Sequence, residues 1–447
     1  MAASVFDSPL YAQLFPAGEV GRLVTDTAEV RAMLLVEGAL AKVQGAQGVI
    51  PEVSAAYIHR AAMEVQIDPA ALAGPTGENG VPVPGLVAAF RSAMEAPDHA
   101  QYVHWGATSQ DIIDTALMLR LRQMLVLQEA MLRDKITTLG DLADRHADTP
   151  MAARTYGQHA TPTSFGATVA HWGAPLLDLL GELPGLRQGA LWVSLSGAAG
   201  TSAALGTDAA QTRAKLAQAL GLQDPGRSWH GDRGPILRIA GWQTRLALAL
   251  GKMAEDLLLL TQTGIAEVSL GASGASSTMP QKQNPVTPSA MAAMARHVAG
   301  LHATLQGAAL HRLDRDGAAW FTEWLVLPQL CLATTATLIR AQGLSGSLAP
   351  IPDAMLGAMT AGQNLIHAEA LSFALAAHLP RPAAQAAIKA LCKQAGETGA
   401  DLADLARAAY PDLDLSPVFD AARQMGHAPA EARRFAAAAR AIRASSC

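Results

Sequence analysis

The sequence predicts an all-α protein built around several very long helices. Half of its 447 residues are hydrophobic but only 4% are aromatic, so the apolar mass is mainly Ala, Leu, Val and Met, which favour helix over strand. Apolar positions also recur at helical spacing through stretches much longer than an ordinary helix. The length gives a prior of about three structural units around a large core.

The first hundred residues break often, at Pro51, Pro69, Pro75, Pro82, Pro84 and Pro97, with helical stretches between. Asp26 followed by Glu29 makes a capping-box-like start to a helix running toward Gly48, with Val30, Met33, Leu34, Leu40 and Val43 on its apolar face. This predicts a small helical domain over 1–106. Ser109 can cap the next pattern, which runs to His146 and carries Ile112, Ile113, Ala116, Leu117, Met124, Leu127, Met131, Ile136 and Leu139. About 40 residues at 1.5 Å each make a rod of roughly 60 Å.

The stretches 235–263, 288–313 and 320–344 read as three more long helices, too apolar to face water on every side. Rods of this kind bury their stripes by bundling, and several of them point to an oligomer in which bundles merge. The central domain is therefore 107–347. Shorter helices broken at Pro380, Pro382 and Pro411 make a third domain, 348–447.

Charge is nearly balanced, with 33 Lys and Arg against 38 Asp and Glu and no concentrated run of either sign, which argues against a nucleic-acid partner. Cys331, Cys392 and Cys447 are odd in number and widely spaced, so neither a disulfide framework nor a zinc knuckle is legible. With no charged-then-apolar leader and no predominantly apolar stretch of about 18 residues, the expectation is a cytoplasmic protein without a membrane partner.

Three polar, Gly-containing segments interrupt the helical text. The first, 104–111, reads HWGATSQD: a plain N-cap with a satisfied His beside it, or first-turn N–H groups and the hydroxyls of Thr108 and Ser109 arranged for an anion. The second, 154–162, reads RTYGQHATP and is taken to enter a helix; a turn and cap explain Thr161 and Pro162 but not the gathering of Arg154, Thr155, Gln158 and His159. The third, 271–285, reads GASGASSTMPQKQNP. A flexible linker has no reason to finish in Met279-Pro280, Lys282 and Asn284-Pro285 before a long helix. No phosphate loop, nucleophile elbow, zinc-protease helix motif or dinucleotide fingerprint is present, and no metal cluster or cofactor motif is evident.

The string ASSTMPQKQNP resembles the signature loop of the fumarase/aspartase superfamily, usually G-S-S-x-M-P-x-K-x-N-P, with Ala275 in place of the usual Gly. The two earlier segments match that superfamily's other active-site regions in order and spacing. The stretches LFPAGEVGRLVTDTAEVRAMLLVEGALAKVQGAQGVIP and RDGAAWFTEWLVLPQL most resemble the branch that lactonises 3-carboxy-cis,cis-muconate in protocatechuate degradation. The resemblance implies a three-domain, all-helical fold and a homotetramer with a 20-helix core. It further implies active sites assembled from three subunits, with Ser276 as the catalytic acid/base and no cofactor.

Superfamily reactions pass through a carbanion delocalised into a neighbouring carboxylate, so the site must stabilise developing negative charge. A small polycarboxylate substrate calls for converging cationic groups, for which Lys282, Arg154, Arg315 and His104 are the candidates. Thr108, Ser109, Thr155, Gln158 and Asn284 supply neutral donors. His159 is expected to hydrogen-bond within the bundle, with substrate contact the other option; Trp320, Glu323 and Trp324 read as packing, near a branch-specific wall by resemblance.

Two departures discriminate among activities. Amine- and hydroxide-eliminating relatives of this superfamily typically carry a His where this chain has Tyr156 and a Glu where it has Ser289. That pair is associated with proton transfer at the leaving group, whereas a carboxylate with a pKa of about 4 needs no such help. Lactonisation by an internal carboxylate fits, and an adenylosuccinate-type C–N lyase releasing fumarate is the alternative. A Ser–Lys amidase is disfavoured because its Lys lies far upstream of its Ser, and intact Ser276, Lys282 and Asn284 argue against a non-catalytic scaffold.

Overall fold

The structure, a computed structural model, describes residues 4–271, 274–275, 279, 282–344 and 346–444. Helix dominates, as expected. The first long helix spans Ser109–Arg145, and Gly234–Leu260, Val286–Gly307 and Gly317–Gly343 answer to the three other predicted rods. A fifth, Phe165–Ala190, is the helix that the second polar segment enters, and it runs through Pro175 and Pro184.

The chain divides into two compact units, the first made of residues 1–131, 179–248 and 293–339. In it the helix Asp26–Ala46 is capped one residue earlier than the sequence indicated, by the Thr25 hydroxyl accepting the Ala28 N–H at 3.2 Å. It lies directly on the helix Glu52–Glu64: a Cβ at Gly38 or Gly45 would sit 2.6 or 2.3 Å from the methyl of Ala62 or Ala55. Trp229 and Trp242 are fully buried, their indole N–H groups donating to the carbonyls of Val193 and Leu179 at 2.9 Å each.

The helix Gly317–Gly343 departs from one expectation. An 18-residue window in it has a mean hydropathy of 1.3, long and apolar enough to cross a membrane, but 67% of that window is buried inside the protein. Its Thr335 and Thr337 hydroxyls donate to the carbonyls of Cys331 and Ala333 at 2.8 Å, and Thr335 accepts from Gln128 at 3.0 Å. These features make it a core helix.

The second unit comprises residues 132–178, 249–292 and 340–447. The C-terminal helix Ala428–Ala444 docks there through small residues: a Cβ at Gly173 would fall 2.0 Å from the Phe435 ring, and one at Gly140 2.4 Å from the Ala439 methyl. Leu371, Leu375, Ile388, Leu391, Leu402 and Leu415 form a separate apolar cluster among the shorter C-terminal helices. Among the described residues the strands are few: a hairpin at 150–164 and two-residue pairings of Val268–Ser269 with Ala349–Pro350 and of Gly274–Ala275 with Gln283–Asn284.

Candidate active site

In the first unit the segment 103–108 is held from three sides. Arg91 donates to the Val103 carbonyl at 2.9 Å, Gln44 donates to the Trp105 carbonyl at 2.8 Å, and His104 Nδ1 meets the Glu37 carboxylate at 2.6 Å. His104 adopts a left-handed backbone (φ 66°), as does Gly106 (φ 75°), where a Cβ would fall 2.7 Å from Leu205. Burial lowers the His104 pKa, but the Glu37 hydrogen bond and the charges of Glu37 and Asp111 outweigh it against the opposing charge of Arg91. The net effect is a raised value.

Helix 109–145 begins at Ser109, so Thr108 rather than Ser109 stands at the cap position, and the Asp111 carboxylate reaches back to the Thr108 N–H at 3.1 Å. The buried Asp111 is a hub. Besides Thr108 it accepts from the Ser194 hydroxyl at 3.1 Å, the Ser196 and Gly197 N–H groups at 2.9 Å and His230 Nε2 at 2.8 Å.

Arg315 belongs to the same neighbourhood. Its Nε donates to Gln110 at 3.2 Å and its Nη2 to the Ala198 carbonyl at 2.7 Å, both neutral partners. Gln110 in turn donates to Asp114 at 3.2 Å and to the His230 carbonyl at 2.9 Å. Behind them lies a buried triad in which Arg233 makes two bonds to Asp114 (2.8 and 3.0 Å) and two to Glu323 (2.9 and 2.7 Å). Burial favours the uncharged form of Arg233, but the two carboxylates hold its guanidinium ionised. Burial raises the Glu323 pKa, opposed by Arg233 and reinforced by Asp114.

Sequence reasoning passed over this triad, Glu37 and His230. The segment SWHGDRGP at 228–235 carries the same signal as the other three, a polar Gly-containing break before a long helix. Glu323, read as packing, is packed but ion-paired; Trp320 packs against Trp324 with ring centroids 4.8 Å apart and planes tilted by 55°.

The second polar segment, in the second unit, is a β-hairpin that leads at Phe165 into the helix it was expected to enter. Strands Pro150–Thr155 and Gln158–Ser164 pair antiparallel around Tyr156 and Gly157, whose φ values of 51° and 73° mark a type I′ turn. Thr161 and Pro162 thus lie in a strand, where two-stranded pairing leaves an edge that tolerates proline. A bulge sets Ala160 and Thr161 against Ala153 alone, next to the Arg154–His159 pair.

Arg154 turns to Glu267 and binds it at 2.8 and 2.7 Å, with the Glu267 side chain fully buried. Thr155, Tyr156, Gln158 and His159 are exposed in the single chain.

In the third segment the pairing of Gly274 with Asn284 and Ala275 with Gln283 closes the base of the signature loop. Lys282 is exposed, Asn284 half-buried, and the Lys282 N–H donates to the Met279 carbonyl at 3.0 Å. Ser276 lies outside the described residues. Among the described residues, no three His, Cys, Asp or Glu side chains gather in a group able to hold a metal ion.

The structure therefore links Thr108 to Arg315 through Asp111, His230 and Gln110 in one polar network of the first unit, while His104 lies in the adjoining segment on Glu37 and Ser109 opens the same helix. In the second, Arg154, Thr155 and Gln158 share the hairpin, and Lys282 and Asn284 share the loop base.

A model of the lyase family matches residues 22–300. The chain belongs to the fumarase/aspartase superfamily of lyases. Within this superfamily it is 36% identical to the 3-carboxy-cis,cis-muconate cycloisomerase of Pseudomonas aeruginosa over 436 residues, 95% of either chain. It is also 36% identical to the nitrosuccinate lyase of Streptomyces davaonensis, over 96% of this chain and 94% of that one. The solved structure of 3-carboxy-cis,cis-muconate lactonizing enzyme from Pseudomonas putida superposes with a TM-score of 0.90 at 32% identity, covering 98% of this chain and all of that one.

Proposed function

We propose that the chain closes 3-carboxy-cis,cis-muconate to carboxymuconolactone in protocatechuate degradation. The observation that carries this reading is the state of positions 156 and 289. Tyr156 is a fully exposed phenol on a turn, and the Ser289 hydroxyl donates to the Pro285 carbonyl of its own helix at 2.8 Å. Neither is the imidazole or carboxylate that amine- and hydroxide-eliminating relatives typically carry there for proton transfer at the leaving group. An internal carboxylate attacks without such help.

In the mechanism one substrate carboxylate oxygen bonds to the alkene carbon, the double-bond electrons pass into the neighbouring carboxylate, and Ser276 gives its proton to the α-carbon. Lys282, Asn284, Arg315 and His104, with Thr108, Ser109, Thr155 and Gln158, are the groups assigned to the substrate's oxygens. Arg154 acts from beside Glu267, setting the hairpin that carries Thr155 and Gln158. The exposure of the hairpin tip and of Lys282 supports sites completed by other copies in a homotetramer. The three sequence domains, 1–106, 107–347 and 348–447, are its proposed organisation, the cytoplasm its compartment.

The likeness to nitrosuccinate lyase favours one second reading: elimination of an anionic group from a substituted succinate, which equally needs no acid at the leaving group. Purified protein should remove the conjugated-diene absorbance of carboxymuconate, and Ser276→Ala should not. Fumarate released faster from nitrosuccinate would favour the second reading, and comparable release from adenylosuccinate would restore the amine lyase.

A further inference from the structure

We propose that Glu37 is a positioning residue that clamps His104 and presents its outer ring nitrogen as a hydrogen-bond donor to a substrate carboxylate. The inference rests on the polycarboxylate reading of the site, and it stands on geometry within the first unit.

Glu37 lies in the helix Asp26–Ala46, 1% exposed, with Oε1 at 2.6 Å from His104 Nδ1 and Oε2 buried without a partner. An isolated carboxylate in such a place is costly, and an apolar side chain would sit there more cheaply among Val36, Ala39 and Leu40, which are all buried. The cationic form of the imidazole compensates that charge. One heptad along the same helix, Gln44 fixes the Trp105 carbonyl, so one rigid element sets both the ring and the main chain that carries it.

At 2.6 Å the Nδ1 proton points to the carboxylate, which fixes the ring's orientation and leaves Nε2 as the free atom. Among the described residues Nε2 has no hydrogen-bond partner, and 19% of the side chain is open to solvent. The charged groups bearing on the ring are Glu37, Asp111 and Arg91; burial opposes the cation, but the two carboxylates outweigh it together with Arg91, so His104 keeps its proton further up the pH scale than a free imidazole.

The test compares wild type with Glu37→Gln and Glu37→Asp as intact full-length protein, using carboxymuconate turnover and, separately, NMR of the His104 ring with the non-reacting tricarboxylate tricarballylate. In Glu37→Gln the His104 titration should move to lower pH and tricarballylate should bind about tenfold more weakly near pH 7.5. KM for carboxymuconate should rise similarly while kcat changes less than threefold, affinity should return toward wild type as pH falls to 6, and Glu37→Asp should retain part of the effect. Tricarballylate binding that leaves the wild-type His104 signals unmoved, or that is equal in wild type and Glu37→Gln, would overturn the clamp. Absence of carboxymuconate turnover, with ring perturbation and its loss in Glu37→Gln intact, would overturn the reaction assignment and leave the clamp standing.

Discussion

Arg154 and Glu267 form a bidentate ion pair, at 2.8 and 2.7 Å, in which the carboxylate is completely buried and only 13% of the arginine side chain is exposed. Both terminal guanidinium nitrogens are engaged, so the cation fixes the hairpin base and is largely neutralised before any substrate arrives. Glu267→Gln should leave a mostly buried cation unpaired and destabilise the protein by about 3 kcal/mol. Denaturant unfolding measures this, and an unchanged midpoint would sink the assigned role.

Asp111 accepts five hydrogen bonds, three on Oδ1 and two on Oδ2. Asp111→Asn turns one acceptor into a donor facing N–H groups. With each orphaned buried donor costing about 1–3 kcal/mol, the loss should be about 3 kcal/mol, read from thermal or denaturant unfolding. KM should rise with it, because Thr108 and the 196–197 turn lose their common anchor.

The turn at Tyr156 and Gly157 gives a prediction of opposite signs. Both residues have positive φ, which suits Gly and Asn and strains a tyrosine. Tyr156→Asn should stabilise by about 0.5–1 kcal/mol and Gly157→Ala destabilise by about 1 kcal/mol, seen as shifts in unfolding midpoint. Equal midpoints for both variants would rule out the I′ geometry.

Glu323 makes stability depend on pH in a defined direction. Its carboxyl is raised by burial against Arg233, so above the ordinary carboxylate range the folded state holds the proton more tightly than the unfolded chain. Stability therefore falls as pH rises from that range through the raised value. In Glu323→Gln this slope disappears, and the stability difference should move in the variant's favour by about 1.4 kcal/mol per unit by which the pKa is raised. A difference that stays constant from about pH 5 to pH 8, by unfolding at each pH, would contradict this assignment.

The long helices were legible because Ile112, Leu117, Met124 and their successors keep helical spacing through the length of Ser109–Arg145. The loop from Ser276 to Asn284 was legible as a motif. The hairpin was not: its turn is Tyr-Gly rather than Asn-Gly, and Pro162 weakens the strand signal. Helix 165–190 was legible only at its start, because two prolines inside it obscure its length. Glu37 and Glu267 are written in the sequence as ordinary acidic residues, and only the fold reveals that each is buried against a site cation.

The central claim is that a hydroxyl protonates the α-carbon while an unassisted carboxylate attacks. It is tested most directly by NMR of the product formed from 3-carboxy-cis,cis-muconate in deuterated water. The account predicts a lactone carrying one solvent deuterium at the α-carbon, formed by the wild type and not by Ser276→Ala. Untouched carboxymuconate, with fumarate released from adenylosuccinate instead, would contradict it.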